Sequence, residues 1–450
     1  MDAADLDRQA RTLSGCIPPD LVAQLLERGH EREVASQAGQ GEWFCARAWA
    51  RLLGERGQRD NALAVLAPYV ATGWWPAARA QVELLESWGR ASEALALTRP
   101  YAAAGGQALE FFARLLARHG GAAEAFELLS AGIEDWVLAT ALVDVAELAG
   151  LDDDAARLLS EHIPDDHRCD SPWCCGGLDA DTALSLLARI RERQGRTDEA
   201  IALLHTRRIT SVNSRDQLAD LLARHGRLDE LRKYAATDVH GHATQRLAEV
   251  LEERGDVEGA ISLYRRAAAA VPGGSNTAYQ LAQLLARHGR GAEAVDVMRA
   301  QADAHPGEDW ILHTLAGLCL DRDRPEDGLA HLDELKAARG DDEEEWDLFW
   351  IRLPLIATSS GPDAALQQAS AHPEGDSAYA AEHMARVLHN AGRTEEAIAL
   401  LDRHLPAHRS DMAAYFISLD MIDDAVELLQ QHDPRPTAQW NGHWSSEPPF

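Results

Sequence analysis

A single residue mark recurs along this 450-residue chain at a spacing too short for a domain and too long for one helix. It is glycine at 29, 57, 89, 120, 150, 195, 226, 255, 289, 361 and 392, and aspartate at 323 and 420. The mean step between marks is about 33 residues, the length of one helix-turn-helix hairpin. Before each mark, apolar residues fall three and four apart, as in Leu281, Leu284 and Leu285, which builds one apolar face per helix. Glycine suits the reversal that follows, because it takes a left-handed backbone at little steric cost.

Small residues are also placed by the period. Five residues beyond the mark stand Ala62, Ala94, Ala125, Ala155, Ala200, Ala260, Ala294, Gly328, Ala397 and Ala425. Seven residues before it stand Ala50, Ala113, Ala188, Ala219, Ala248, Ala282, Ala316, Ala385 and Ala413. Both sets predict helix crossings toward the close end of the usual ~8–10 Å range. A helix of about twelve residues is marginal alone, so each hairpin must depend on its neighbours.

In the unit around Gly255, the residues Leu247, Ala248, Leu251, Ala260, Tyr264, Ala267 and Pro272 fall at the signature positions of the tetratricopeptide repeat family, which the chain resembles. Leu281, Ala282, Leu285, Ala294 and Pro306 repeat the pattern, and Trp350 takes the family's tryptophan position. Most other units lack the closing proline and carry leucine at the large positions. The resemblance spans residues 20–430 and implies an all-α fold, a right-handed superhelix of about thirteen hairpins. It further implies that first helices line a concave groove, with Gln245, Glu249, Glu252 and Glu253, then Tyr279, Gln283 and Arg287, then Trp310, His313 and Gly317 facing a partner. The lysine and asparagine clamp that some members use for a peptide carboxylate is missing there.

Two irregularities suggest boundaries. The step from Gly150 to Gly195 is long, and the surplus lies between Pro164 and Asp181. The expected organisation is a hairpin array over residues 1–163, an irregular loop or seam over 164–181, a second array over 182–432, and a flexible tail over 433–450. The tail's Trp440, Trp444 and Phe450 would either cap the last hairpin or serve as a linear motif. The 164–181 loop brings His167, Cys169, Cys174 and Cys175 close in sequence, with His162 just before. Zinc would want four such ligands in a tetrahedron, but the paired-knuckle spacing is lacking. An ordinary loop with idle cysteines is the main expectation, a metal or a reactive thiol the lesser one, and no cofactor is expected.

Charge and motifs narrow the function classes. The formal net charge of −30 opposes nonspecific polyanion binding and disfavours a helical-repeat RNA binder. No apolar run reaches membrane-spanning length, and the acidic start does not read as a secretory signal. A reducing, bacterial cytoplasmic setting is expected, with the six cysteines as thiols. Neither lysine, Lys233 or Lys336, follows a glycine, so no phosphate-binding loop is present, and no serine elbow or paired-histidine zinc helix appears.

Three position-specific features remain. Arg118, Arg224 and Arg287 share one repeat position, joined by Arg193, and either offset the helix dipole or form a stripe for an acidic peptide. Trp43, Trp75, Trp136, Trp310 and Trp346 stand near first-helix starts, as staples between hairpins or as partner anchors. The acids Asp341 to Glu345 suit a helix start, with contact to a basic partner as the other reading. The expected role is a non-enzymatic scaffold for a protein or peptide segment. A ligand-sensing regulator is the alternative, and homo-oligomerisation stays open.

Overall fold

All thirteen marks adopt a left-handed backbone, with φ between +55° at Asp323 and +91° at Gly120 and Gly361. The computed structural model describes residues 2–163, 178–207, 211–212, 215–238, 241–270, 275–305, 308–339, 346–405 and 407–431. Among them are twenty-seven helices: Ala3–Thr12, followed by thirteen consecutive pairs that run from Pro19–Glu27 with Glu31–Gly39 to Arg409–Ser418 with Ile422–Gln430. Each mark sits between the two helices of its pair. The residue after it typically donates its N–H to a carbonyl five positions back, as Asp256 does to Leu251 and Arg290 to Leu285, at 2.9 and 2.8 Å. This is the bond that closes a helix end through a left-handed residue.

A second bracket opens the following helix. Arg90, Arg196, Arg227, Arg290 and Arg393 stand just after the mark, and each holds a glutamate three residues on, for instance Arg290 Nε to Glu293 Oε1 at 2.6 Å. Such pairs fix the helix start locally and add a few tenths of a kcal/mol apiece.

The small residues lie where helices cross. Ala62, Ala94, Ala125, Ala155, Ala200, Ala260, Ala294 and Ala397 are fully buried, as are Ala50, Ala113, Ala219, Ala282, Ala385 and Ala413. At Gly328 a Cβ would come within 3.0 Å of Leu355. Leucine, valine and isoleucine fill the space between these crossings. One strip of core runs from Phe112 to Ile190, another from Ala188 to Leu247, and a third from Ala248 to Leu355. Among the described residues, a two-residue antiparallel ladder pairs Ser211–Val212 with Arg215–Asp216. Buried Asp216 then caps the helix Gln217–Arg224 through Ala219 N–H at 2.9 Å and accepts the Tyr234 hydroxyl at 2.5 Å.

The chain divides into two compact units. One comprises Met1–Trp88 together with the segment from Gly375 onward; the other is Gly89–Glu374. The expected seam at 164–181 falls inside the second unit, and its residues 164–177, like the tail at 433–450 and the acidic run 341–345, lie outside the described residues.

In the first unit the first and last hairpins touch. Gln24 Nε2 donates to the Ala414 carbonyl at 3.4 Å and Arg28 Nη1 to the Ser418 carbonyl at 3.2 Å. His30 Nε2 lies 3.2 Å from Asp420 Oδ1, and Gln430 Nε2 donates to Gln37 Oε1 at 2.5 Å. These partners are about 390 positions apart in sequence.

Candidate protein-binding surfaces

The first helices of three consecutive hairpins in the first unit enclose a groove of about 710 Å3. Leu26 comes from Pro19–Glu27, Phe44, Arg47 and Arg51 from Trp43–Glu55, Leu84 from Trp75–Ser87, and Trp88 follows directly. The Trp88 ring is seated because residue 54 is glycine: a Cβ there would approach its Cζ2 to 2.8 Å. The Arg59 guanidinium stands 5.6 Å from the centre of the same ring.

The groove's charges are unequally neutralised. Arg51 Nε reaches Glu55 Oε1 at 3.6 Å, and Glu83 is held by Arg79 at 2.9 Å. Arg47 makes no hydrogen bond or ion pair among the described residues. An apolar trough with one uncompensated cation can bury a hydrophobic anchor and accept a carboxylate beside it. Sequence reasoning did not single out Phe44, Arg47, Leu84 or Trp88. Their signal was the first-helix register carried into the less regular early units.

The residues expected to face a partner lie in the second unit. Tyr279 and Trp310 meet edge to face at 6.1 Å on neighbouring first helices, and Trp310 is 41% exposed with its Nε1 bonded to Glu308 Oε2 at 2.8 Å. His313 lies 4.0 Å from the Trp350 ring, and burial pushes its imidazole below the ordinary value despite nearby Asp309. Gln283 is partly buried on the Tyr279 helix. Gln245 Nε2 donates to Glu249 Oε1 at 3.0 Å, while Arg246 reaches Glu249 and Asp220 at 3.1 and 3.2 Å. Tyr279 and Trp310 thus form one aromatic shelf, and the Gln245–Glu249 pair is a separate polar element.

At three of the four arginine positions the side chain clamps one hairpin to the preceding one. Arg224 grips Glu192 through Nε and Nη2 at 3.1 and 2.9 Å, with His225 Nε2 on the same carboxylate at 3.0 Å. Arg287 and His288 hold Glu252 of the preceding hairpin at 2.9 and 2.8 Å. Arg193 binds the Asp152 carboxylate and donates to the Val143 carbonyl at 2.8 Å. Arg118 is exposed in the last turn of Gly106–Arg118. The Arg287 bond holds Glu252 below the usual carboxylate range, and Glu192 is lowered too, although its burial acts the other way.

The tryptophans differ in burial. Trp43 is buried against Trp74 at 4.9 Å and Tyr69 at 5.1 Å, and Trp346 is buried against Phe349 at 5.3 Å. Trp136 is 60% exposed and Trp75 is intermediate. The weak metal candidates His167, Cys169, Cys174 and Cys175 lie outside the described residues. Within those residues no group of three or more histidines, cysteines and carboxylates could hold a metal ion. Buried Cys16 has its thiol pushed up to about 12 by desolvation, and Cys45 is raised for the same reason. Among the described residues no helix is long and apolar enough to cross a membrane.

Three stretches, 183–209, 243–276 and 380–413, match the family model described as tetratricopeptide repeat. No curated protein matches the chain. Among solved structures, it is similar to one described as Naa15/Naa10 bound to HypK-THB, at 15% identity and a TM-score of 0.46, over 97% of this chain and 68% of that one. It is also similar to one described as the APC/C hetero-tetramer Cut9-Hcn1, at 11% identity and a TM-score of 0.26, over 88% of this chain and 94% of that one.

Proposed function

From a chain that carries tetratricopeptide repeats, we propose a non-enzymatic interaction scaffold that holds a segment of a protein partner on its first-helix surfaces. The observation that carries this reading is the groove beside Arg47: an apolar trough built by three successive hairpins, with a guanidinium that no acid among the described residues neutralises. In a chain of net charge −30, such a cation is an unusual local attraction for a carboxylate. The favoured segment presents one or two bulky apolar side chains next to an aspartate or glutamate. A preformed surface of this kind binds with little reordering, so the ligand supplies most of the entropy cost. The shelf of Tyr279 and Trp310 is a second contact area on the same partner or another one, since exposed rigid aromatics dominate interfaces.

Selection of peptides from a random display library by the full chain tests the proposal. Enriched peptides should share an apolar anchor with a neighbouring acid, and Arg47→Glu should weaken them by at least tenfold while Leu84→Asp abolishes binding. Failure to enrich any motif, or equal binding by both variants, would overturn it.

A further inference from the structure

In the first unit, the last hairpin delivers the chain to the mouth of a second cavity. The helices Glu31–Gly39 and Ile422–Gln430 lie side by side and run in the same direction. His30, before the one, meets Asp420, before the other, at 3.2 Å, and Gln37 near the end of the first meets Gln430 at the end of the second at 2.5 Å. Gln37 is buried, and Arg409 Nη1 donates to the Gln431 carbonyl at 2.8 Å, which fixes the last peptide before the tail. The chain beyond Gln431 therefore sets out beside residues 38–41.

Those four residues form one wall of a cavity of about 490 Å3, which Leu6, Trp49, Val65 and Pro68 help to complete. It shares no lining residue with the groove at Arg47. At Gly39 a Cβ would meet nothing within 4 Å. Leu6 is the one buried residue of Ala3–Thr12, so a single apolar side chain seats that helix at the cavity's edge. No carboxylate or cation lines the space, and a charge buried there would lack a partner, so the chemistry favours neutral side chains.

The sequence past Gln431 supplies them. Residues 437–446 hold Trp440 and Trp444 and contain no acid, arginine or lysine, although Arg435 and Glu447 flank them. Trp440 is nine positions beyond Gln431, a reach of up to about 30 Å, while the cavity wall begins at Ala38, the residue after Gln37. We propose that residues 437–446 fold over the end of Glu31–Gly39 of the same chain and seat the Trp440 indole in this cavity, against Leu6 and Trp49. The segment is then a strap that ties the unpaired helix Ala3–Thr12 to the last hairpin. It is separate from the peptide groove and stands whether or not that groove is used.

In the full chain, Trp440→p-benzoylphenylalanine puts a photoreactive ring at the anchor. Irradiation and peptide mapping should give a cross-link within one chain to Leu6, Trp49 or residues 64–72. Gly39→Leu, which fills the space from a helical position, should abolish that cross-link with the circular dichroism unchanged. Independently, Trp440→Ser should speed amide exchange in Ala3–Thr12 by about tenfold, and this readout decides alone if Gly39→Leu loses helicity. Arg47→Glu should leave both measurements as they are, which separates the strap from the proposed groove. Cross-links only to groove residues such as Phe44 or Leu84, cross-links only between chains, an undiminished cross-link in Gly39→Leu, or unaltered exchange in Trp440→Ser would each overturn the assignment.

Discussion

The clamp on Glu252 offers a direct measure of how neighbouring hairpins are fastened. Arg287 Nη2 lies 2.9 Å from Glu252 Oε2, and His288 Nε2 lies 2.8 Å from Oε1. At 2.9 Å, fully water-screened attraction between unit charges is about 1.4 kcal/mol. The Arg287 side chain is 54% exposed, so solvent screening and its lost rotamer freedom offset part of this gain. The expected coupling between Glu252 and Arg287 is therefore ~1 kcal/mol, measured by a double-mutant cycle of Glu252→Gln and Arg287→Gln in urea unfolding at pH 7 and low salt. Because the folded carboxyl is held below its unfolded value, the contribution is complete above the unfolded pKa of about 4.5 and is lost as pH falls through the depressed folded value. The coupling should also shrink toward zero in 1 M salt, where the screening length is about 3 Å. A coupling below ~0.3 kcal/mol at pH 7, or one that salt leaves intact, would refute the account of the clamp as an electrostatic fastening.

Other positions give further tests. Ala260→Leu should overpack a fully buried crossing and cost about 1–3 kcal/mol by denaturant unfolding, while unchanged stability would place the crossing elsewhere. Asp323→Gly should stabilise by about 1 kcal/mol and Gly255→Val should destabilise by at least as much, since both positions hold φ above +50°; equal effects of the two would contradict the left-handed turns. His331 is buried with neither ring nitrogen hydrogen-bonded among the described residues, and desolvation lowers its imidazole pKa although Asp303 and Glu334 face it. Its neutral form favours the fold, so stability should decline as pH drops below about 6.5, and His331→Gln should flatten that slope in thermal scans between pH 7 and 5.

The hairpin register was legible because each signal was local and repeated. The turn marks predicted a left-handed residue, and even Asp323 and Asp420 adopt it, because the bonds that close the helix end fix the backbone there whatever the side chain. The small residues were placed by the same period and are buried where helices cross. The clamp was harder to see. Its acid stands 32 residues upstream of Arg224 and 35 upstream of Arg287, one repeat away, so from the sequence the arginines read as last-turn cations or as a stripe for an acidic peptide. A search for an acid one period earlier would have found both. The tryptophans could not be sorted by position: Trp43 is enclosed by Tyr69 and Trp74, whereas Trp136 is 60% exposed and Trp310, against Tyr279, is 41% exposed. The groove at Arg47 depended on side chains from three hairpins whose spacing is irregular, and the contact between the first and last hairpins has no local signal at all.

That contact changes which parts of the chain should open first. In an ordinary stack of repeats the outermost members have a neighbour on one side only, and thermal opening starts with them and moves inward. Here Pro19–Gly39 is gripped by the hairpin Arg409–Gln430 through Gln24, Arg28, His30 and Gln37, so each of these two hairpins has a partner remote in sequence. Backbone amides in those two hairpins should exchange with solvent no faster than amides several repeats inward, and trimming either hairpin should quicken exchange in the other.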